Sequence, residues 1–260
     1  CDVDAADLHL LLHPEIRESH KFNSGWKAVI DPGKCNGCSI CAENCRFEAI
    51  IRNESDVYRI NPFKCEGCRL CERICPENAI SSEKNENNSW YISDTRFGAF
   101  IHAHMGAGEE NSGKLVAQLR KKARDIAKEK KLDFIINDGP PGIGCPVISS
   151  ITGSDIVLMV IEPSKSGFHD AKRLLSLLKT FDVKTYAIVN KIDINYEIYK
   201  ELENYFKQNS VVLFPGIPFN NIFTDAMTEG ETITEYAPKS NISISLSHMW
   251  KYIVKESFSQ

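Results

Sequence analysis

The pattern of apolar positions changes character along the chain. Trp90, Tyr91 and Ile92, then residues 97–105, read as two extended segments. Residues 112–131 place Leu115, Leu119, Ala123 and Ala127 at helical spacing with charges between them, which predicts an amphipathic helix. Short apolar runs follow at 134–136, 156–161, 186–189 and 211–214, each of a length that suits a buried strand. Helical patterns at 168–181 and 196–206 separate the last three runs, and Leu246, Met249, Trp250 and Ile253 mark a final helix with a core-packing face. Strands alternating with helices predict an α/β fold, a mostly parallel sheet covered by helices on both faces. In such sheets ligands sit beyond the carboxyl ends of the strands, so the residues after each run are the ones to interrogate.

The first third of the chain follows a repeat instead. At an offset of 30, Asp31-Pro32-Gly33-Lys34-Cys35-Asn36-Gly37-Cys38-Ser39-Ile40-Cys41 lies over Asn61-Pro62-Phe63-Lys64-Cys65-Glu66-Gly67-Cys68-Arg69-Leu70-Cys71, with Cys45 over Cys75. Each copy is C-x2-C-x2-C-x3-C, the spacing of a cuboidal iron–sulfur ligand loop. Three thiolates three residues apart can wrap one cube, and Gly37 and Gly67 let the backbone approach it without a Cβ. Structural zinc, which uses paired knuckles across a spacer, is the competing reading. The segment resembles the bacterial two-cluster ferredoxins over about fifty residues. That resemblance implies two [4Fe-4S] clusters, the fourth cysteine of each run serving the other cube. One set is then Cys35, Cys38, Cys41 and Cys75; the other is Cys65, Cys68, Cys71 and Cys45. The chain departs from the pattern at Arg46, where a proline is expected after the fourth cysteine, as Pro76 follows Cys75.

Composition narrows the class. The 260 residues are 42% hydrophobic and 25% charged with a formal net charge of −4, which argues against a dedicated nucleic-acid partner. No apolar run approaches the 18 or more residues of a membrane span, so stable membrane insertion is not expected. Of ten cysteines, eight lie between Cys35 and Cys75, a local cluster that suggests metal chemistry in a reducing, cytoplasmic setting. Cys1-Asp2-Val3 reads as a strand end entering a loop, so a further element is expected upstream. Residues 85–88 read as an exit linker.

The strand ends form a coherent set. The 134–136 run leads into Asn137-Asp138-Gly139-Pro140-Pro141-Gly142, where a carboxylate can order the water shell of magnesium and a tight loop can sense a γ-phosphate. Asn190-Lys191-Ile192-Asp193 falls where a purine base would sit, and Pro218-Phe219 could flank it. Together with Asp2-Val3-Asp4 and Glu162-Pro163-Ser164, these residues occur in the order seen in the MinD/ParA-type P-loop ATPases. With the cysteine insert, the chain resembles members of that superfamily that contain a ferredoxin domain. The resemblance implies a P-loop NTPase-like domain in two pieces, 1–26 and 83–260, around a small α+β ferredoxin-like insert at 27–82. It implies ATP with Mg2+, a nucleotide-dependent homodimer, and a redox or iron–sulfur partner protein. Asp2 would then be the switch residue near the attacking water and Asp138 the magnesium-side carboxylate. Gly139 would belong to the phosphate-sensing loop, Asn190 would contact adenine, and Pro218 would lie beside it.

The family's Walker A loop is expected upstream of Asp2, so the chain by itself is expected to bind ATP weakly. Residues 108–115 mimic a P-loop but end in Leu115, where Ser or Thr should bind magnesium; a partner-facing loop is the preferred reading. Cys145 reads as an inert buried thiol, with a redox contact as the alternative. The expected function is an iron–sulfur ATPase in which nucleotide gates electron or cluster transfer. The alternatives are an electron carrier on a vestigial nucleotide fold and a cluster-assembly ATPase.

Overall fold

The structure is a computed structural model that describes residues 1–3, 6–23, 25–53, 57–62, 64–85, 88–105 and 112–258. They fall into two compact units. The first comprises Cys1–Ala6, Ile16–Asp94 and Ala99–Ile136; the second comprises Asp7–Glu15, Thr95–Gly98 and Asn137–Gln260. A five-residue helix, α1 (Leu8–Leu12), is counted with the second unit.

The first unit runs β1 (Glu15–Phe22), β2 (Trp26–Ile30), α2 (Ile40–Glu43), β3 (Ile50–Arg52), β4 (Tyr58–Ile60), α3 (Leu70–Ile74), β5 (Ile80–Lys84), β6 (Asn88–Thr95), β7 (Gly98–His104) and α4 (Ser112–Lys130). Strands β1, β6 and β7 form one sheet in that order. Trp90 and Ile92 alternate onto its buried face and pack with Leu115, Val116, Leu119 and Ile126, the apolar stripe of α4.

The cysteine repeat folds as two interlocked halves. Strand β2 of the first copy pairs antiparallel with β5 of the second, Trp26 opposite Lys84 through Ile30 opposite Ile80. Strand β3 pairs with β4 in the same sense, Ile50 opposite Ile60. Matching backbone bonds close the two junctions, Asp31 N–H to Ala79 O at 2.8 Å and Asn61 N–H to Ala49 O at 2.7 Å. Each copy therefore begins on one ribbon and ends on the other. The exit linker expected at 85–88 is corrected in part: after Ser81 to Lys84 complete β5, Asn85 is buried with its N–H bonded to Gly25 O at 2.9 Å and buried Asn88 opens β6, while 86–87 lie outside the described residues. A two-stranded ribbon with one face in solvent accepts Ser and Glu there, so low hydrophobicity did not mark a loop.

The second unit runs α5 (Cys145–Ile151), β8 (Ile156–Ile161), α6 (Lys165–Thr180), β9 (Lys184–Val189), α7 (Tyr196–Gln208), β10 (Val212–Leu213), α8 (Ile222–Thr228), α9 (Ile233–Tyr236) and α10 (Asn241–Ser257). Its sheet has the order β10-β9-β8, and both pairings are parallel. Strand β9 shows why both faces are buried. Ala187 and Val189 join the core under α6 and α7 with Leu175, Leu178, Leu202 and Phe206. Tyr186 and Ile188 point the other way, to Ile233 and to Ile242 and Ile253 of α10. Each fully buried Leu or Phe contributes about 1.5–3 kcal/mol by removal from water.

The strand expected at 134–136 does not form; these residues are irregular, and Ile136 is 78% exposed. An apolar triplet stands at the lower limit of strand length, so its propensity alone does not form one. No helix among the described residues is long and apolar enough to cross a membrane.

Candidate metal centres and strand-end site

Two hollows open in the cysteine segment. The first, of about 330 Å³, is lined by Cys35, Cys38, Cys41 and Cys75. The second, of about 480 Å³, is lined by Cys45, Cys65, Cys68 and Cys71 and also by Cys41, which lines both. Three cysteines of each loop thus meet the fourth cysteine of the other copy, as the exchanged strands require. Among the described residues, no three His, Cys, Asp or Glu side chains converge as ligands of a single ion would; the thiols ring a space instead.

The backbone around the hollows is built in matched pairs. Ser39 and Arg69 precede α2 and α3 with φ of 65° and 60°, a left-handed turn that ends each ligand loop. Gly37 and Gly67 also have positive φ, 74° and 60°. At Gly67 a Cβ would lie 2.0 Å from Trp26 O, so no side chain fits there. Ala49 N–H points at Cys45 Sγ (3.4 Å) and Ala79 N–H at Cys75 Sγ (3.3 Å), donors aimed at sulfur as a charged thiolate requires. Burial pushes the Cys41 thiol up and the Cys71 thiol up to about 11. Burial thus favours the neutral form of Cys41 and Cys71, and positive iron would be needed to displace their protons. The soft donor set, the glycine cradle and the N–H donors fit a [4Fe-4S] group at each hollow.

One contact set beside the second hollow was not legible from the spacing. Arg69 lies over the Trp26 ring (4.5 Å) and bonds Glu72 through Nε at 2.8 Å and Nη2 at 3.2 Å. Ser82 Oγ donates to the same carboxylate at 2.6 Å. The Arg69 bond, and then that of Ser82, holds Glu72 down to about 2. The only sequence signal is that Arg69 interrupts the repeat at the place of Ser39.

In the second unit, the carboxyl ends of β9 and β10 come together. Asn190 N–H bonds Ile161 O (2.8 Å), and Asn190 forms a parallel bridge with Ile217, the residue before Pro218. Lys191, at φ 56°, is ion-paired with Glu162. Asp193 Oδ1 accepts from Phe219 N–H at 2.7 Å, which fixes the loop that carries exposed Pro218. Gly216 permits this approach, since a Cβ there would meet Ile192 Cγ2 at 2.4 Å. Asp138 and Gly139 are exposed in the loop before α5. Asp2 is counted with the first unit, half-buried next to Val3, whose carbonyl accepts from Met105 N–H at 3.2 Å.

Cys145 is exposed, contrary to the buried thiol expected, because it opens α5 while Val147 and Ile151 supply the buried side. Residues 108–111 of the P-loop mimic, and Asp4, lie outside the described residues. Ser112, Gly113 and Lys114 form the first turn of α4.

Comparison with known proteins agrees with this geometry. The 4Fe-4S binding domain family matches residues 28–51 and 58–81, one match per repeat. Protein MJ0578 of Methanocaldococcus jannaschii is 33% identical over 221 residues, covering 85% of this chain and 72% of its own length. The ATP-binding protein MJ0685 of the same organism is 22% identical over 143 residues, 54% of this chain and 55% of that protein. The cell division ATPase MinD of Pyrococcus furiosus superposes with a TM-score of 0.50 at 20% identity, covering 63% of this chain and 69% of that one. The chain thus combines a MinD-type α/β fold with a 4Fe-4S binding domain.

Proposed function

This chain belongs to the family of the Methanocaldococcus jannaschii protein MJ0578, and from that premise we propose that it is an iron–sulfur ATPase in which ATP binding and hydrolysis gate electron transfer to a partner protein. The observation that carries the reading is the exchange of fourth cysteines between the two hollows, with Cys75 in the first and Cys45 in the second. We read residues 27–82 as an insert in an ATPase domain made of 1–26 and 83–260. Cys35, Cys38, Cys41 and Cys75 would hold one [4Fe-4S] cluster, and Cys45, Cys65, Cys68 and Cys71 the other. Each cluster supplies a one-electron redox centre when bound. The Cys45 and Cys75 sulfurs keep their N–H donors, and the Ile50 and Ile80 side chains keep water from the inner wall.

On the nucleotide side, Asp138 would order the water shell of Mg2+ and Gly139 would let the loop follow the γ-phosphate. Asn190 would contact adenine with Pro218 beside it, and Asp2 would face the attacking water. A nucleotide-dependent homodimer in the cytoplasm, passing electrons to a redox or iron–sulfur protein, is the setting this reading requires. ATP turnover by the full-length protein, compared with its Asp138→Ala variant, tests the nucleotide half. Loss of turnover with iron content retained is expected, and unchanged turnover would sink the assignment. EPR of the reduced protein with and without Mg·ATP tests the coupling. Signals that shift with nucleotide support gating; signals indifferent to it leave an electron carrier on a vestigial nucleotide fold.

A further inference from the structure

We propose that the two cluster sites are electronically unequal, and that the site formed by Cys45, Cys65, Cys68 and Cys71 takes the first electron. The inference rests on the two-cluster reading above and follows from which charges line each hollow.

At the position after the fourth cysteine the repeat breaks symmetry: Arg46-Phe47 stands where the other copy has Pro76-Glu77. Because the fourth cysteines cross over, Arg46 lines the second hollow and Glu77 lines the first. Neither charge swings free. The Arg46 guanidinium lies 5.1 Å from the Phe47 ring centre, and both residues line the second hollow. Asn36 Nδ2 donates to Glu77 Oε1 at 2.9 Å, and both of these line the first.

The remaining charges do not cancel the difference. The first hollow is lined by one acid, Glu77, and no base. The second is lined by Arg46, Arg69 and Glu66, which leaves one positive charge. In the next layer, Glu43 bonds the hydroxyl of Ser39 and Arg52 lies 6.0 Å from the ring centre of Tyr58 beside the first hollow, while Glu72 and Arg73 stand beside the second. In each case one acid and one base cancel, and Lys34–Asp31 and Lys64–Glu48 are paired, so a difference of two charges survives. Reduction adds one electron to a [4Fe-4S]2+ unit from an outside one-electron donor, with no bond made or broken. The added negative charge is stabilised beside Arg46 and opposed beside Glu77. Both residues are exposed, so their effect weakens as salt rises.

The test is an EPR-monitored redox titration of the anaerobically reconstituted full-length protein, with iron and sulfide assayed on the same sample. We expect about eight irons per chain and two one-electron waves. We expect the waves to differ at least tenfold in equilibrium constant, which is about 59 mV for one electron. Arg46→Gln should lower the upper wave more than the lower one, and Arg46→Lys, which restores the charge, should return it. Glu77→Gln should raise the lower wave more than the upper one, and the gap should narrow with added salt. Eight irons with coincident waves, or an Arg46→Gln variant that chiefly moves the lower wave, would overturn the inference while leaving two clusters in place. Four irons would overturn the two-cluster reading and this inference with it.

Discussion

The cysteine segment and the three-stranded sheet of the second unit are held together in opposite ways. In the cysteine segment the buried cluster is small, Ala28, Cys41, Ile50 and Ile80, with four more cysteines packed against it. Its ligands are therefore also its core. The sheet of the second unit buries Leu175, Leu178, Leu202 and Phe206 on one side and Tyr186, Ile188 and Phe214 on the other, while Asp138, before α5, and Pro218, after β10, are exposed. There, the residues proposed for chemistry are not the ones that hold the fold. In the first region a cofactor should decide whether the fold exists; in the second it should not.

The largest test of that contrast is removal of iron. Chelation under reducing conditions should make residues 27–82 susceptible to protease, because the segment loses the group its core is arranged around. Fragments covering 137–258 should resist under the same conditions. Equal susceptibility of both regions would erase the distinction. A smaller effect approaches from the other side. Phe206→Ala empties a fully buried site under α7 and should cost about 3–5 kcal/mol, read by denaturant melting of the second unit. Its iron content should be unchanged, since Phe206 belongs to the core of that sheet.

Gly67→Ala should come next. It places a methyl 2.0 Å from the Trp26 carbonyl at a φ of 60°, and strain of about 1–3 kcal/mol is expected. The damage should be local: iron assay should show loss from the second hollow and retention at the first. Loss of all iron would mean that the two halves cannot form independently.

What the sequence revealed divides along the same line. Ligand spacing is a covalent property of the chain, so eight cysteines at two fixed registers disclosed two ligand loops, and the ferredoxin resemblance implied their crossover. Strand β8 was legible to the residue because an unbroken apolar run of six has the length of a strand and too few residues for a helix, although Val160 stays exposed. The run at 134–136 carries the same signal over only three residues, and these are irregular. Strand β1, Glu-Ile-Arg-Glu-Ser-His-Lys-Phe, escaped notice because it is a sheet edge with nearly every side chain exposed. Charge placement at Arg46 and Glu77 was half legible: the substitution is visible, but which hollow each residue faces depends on the exchange of strands.

The smallest effect separates the two regions by pH. Two carboxylates sit at about 2, Glu72 in the first unit and Glu235 in the second. Glu235 accepts from Arg96 Nε at 2.8 Å and Nη2 at 2.9 Å, and closes a capping box with Thr232 at the start of α9. The Arg96 bond is the main cause of its lowered value, followed by the Thr232 backbone. A depressed carboxylate stabilises the fold fully above its ordinary value of 4.5 and loses that contribution as pH falls towards 2. Glu235→Gln should therefore weaken amide protection at Tyr236 and Ala237 modestly at pH 7, with the deficit shrinking below pH 4.5. A deficit that is constant down to pH 2.5 would place the cause in side-chain shape, not charge. In chelated protein at pH 7 a Glu72→Gln effect should vanish and the Glu235 effect persist, because Glu72 lies in the cysteine segment, whose small core is arranged around the cofactor, and Glu235 lies in the second unit.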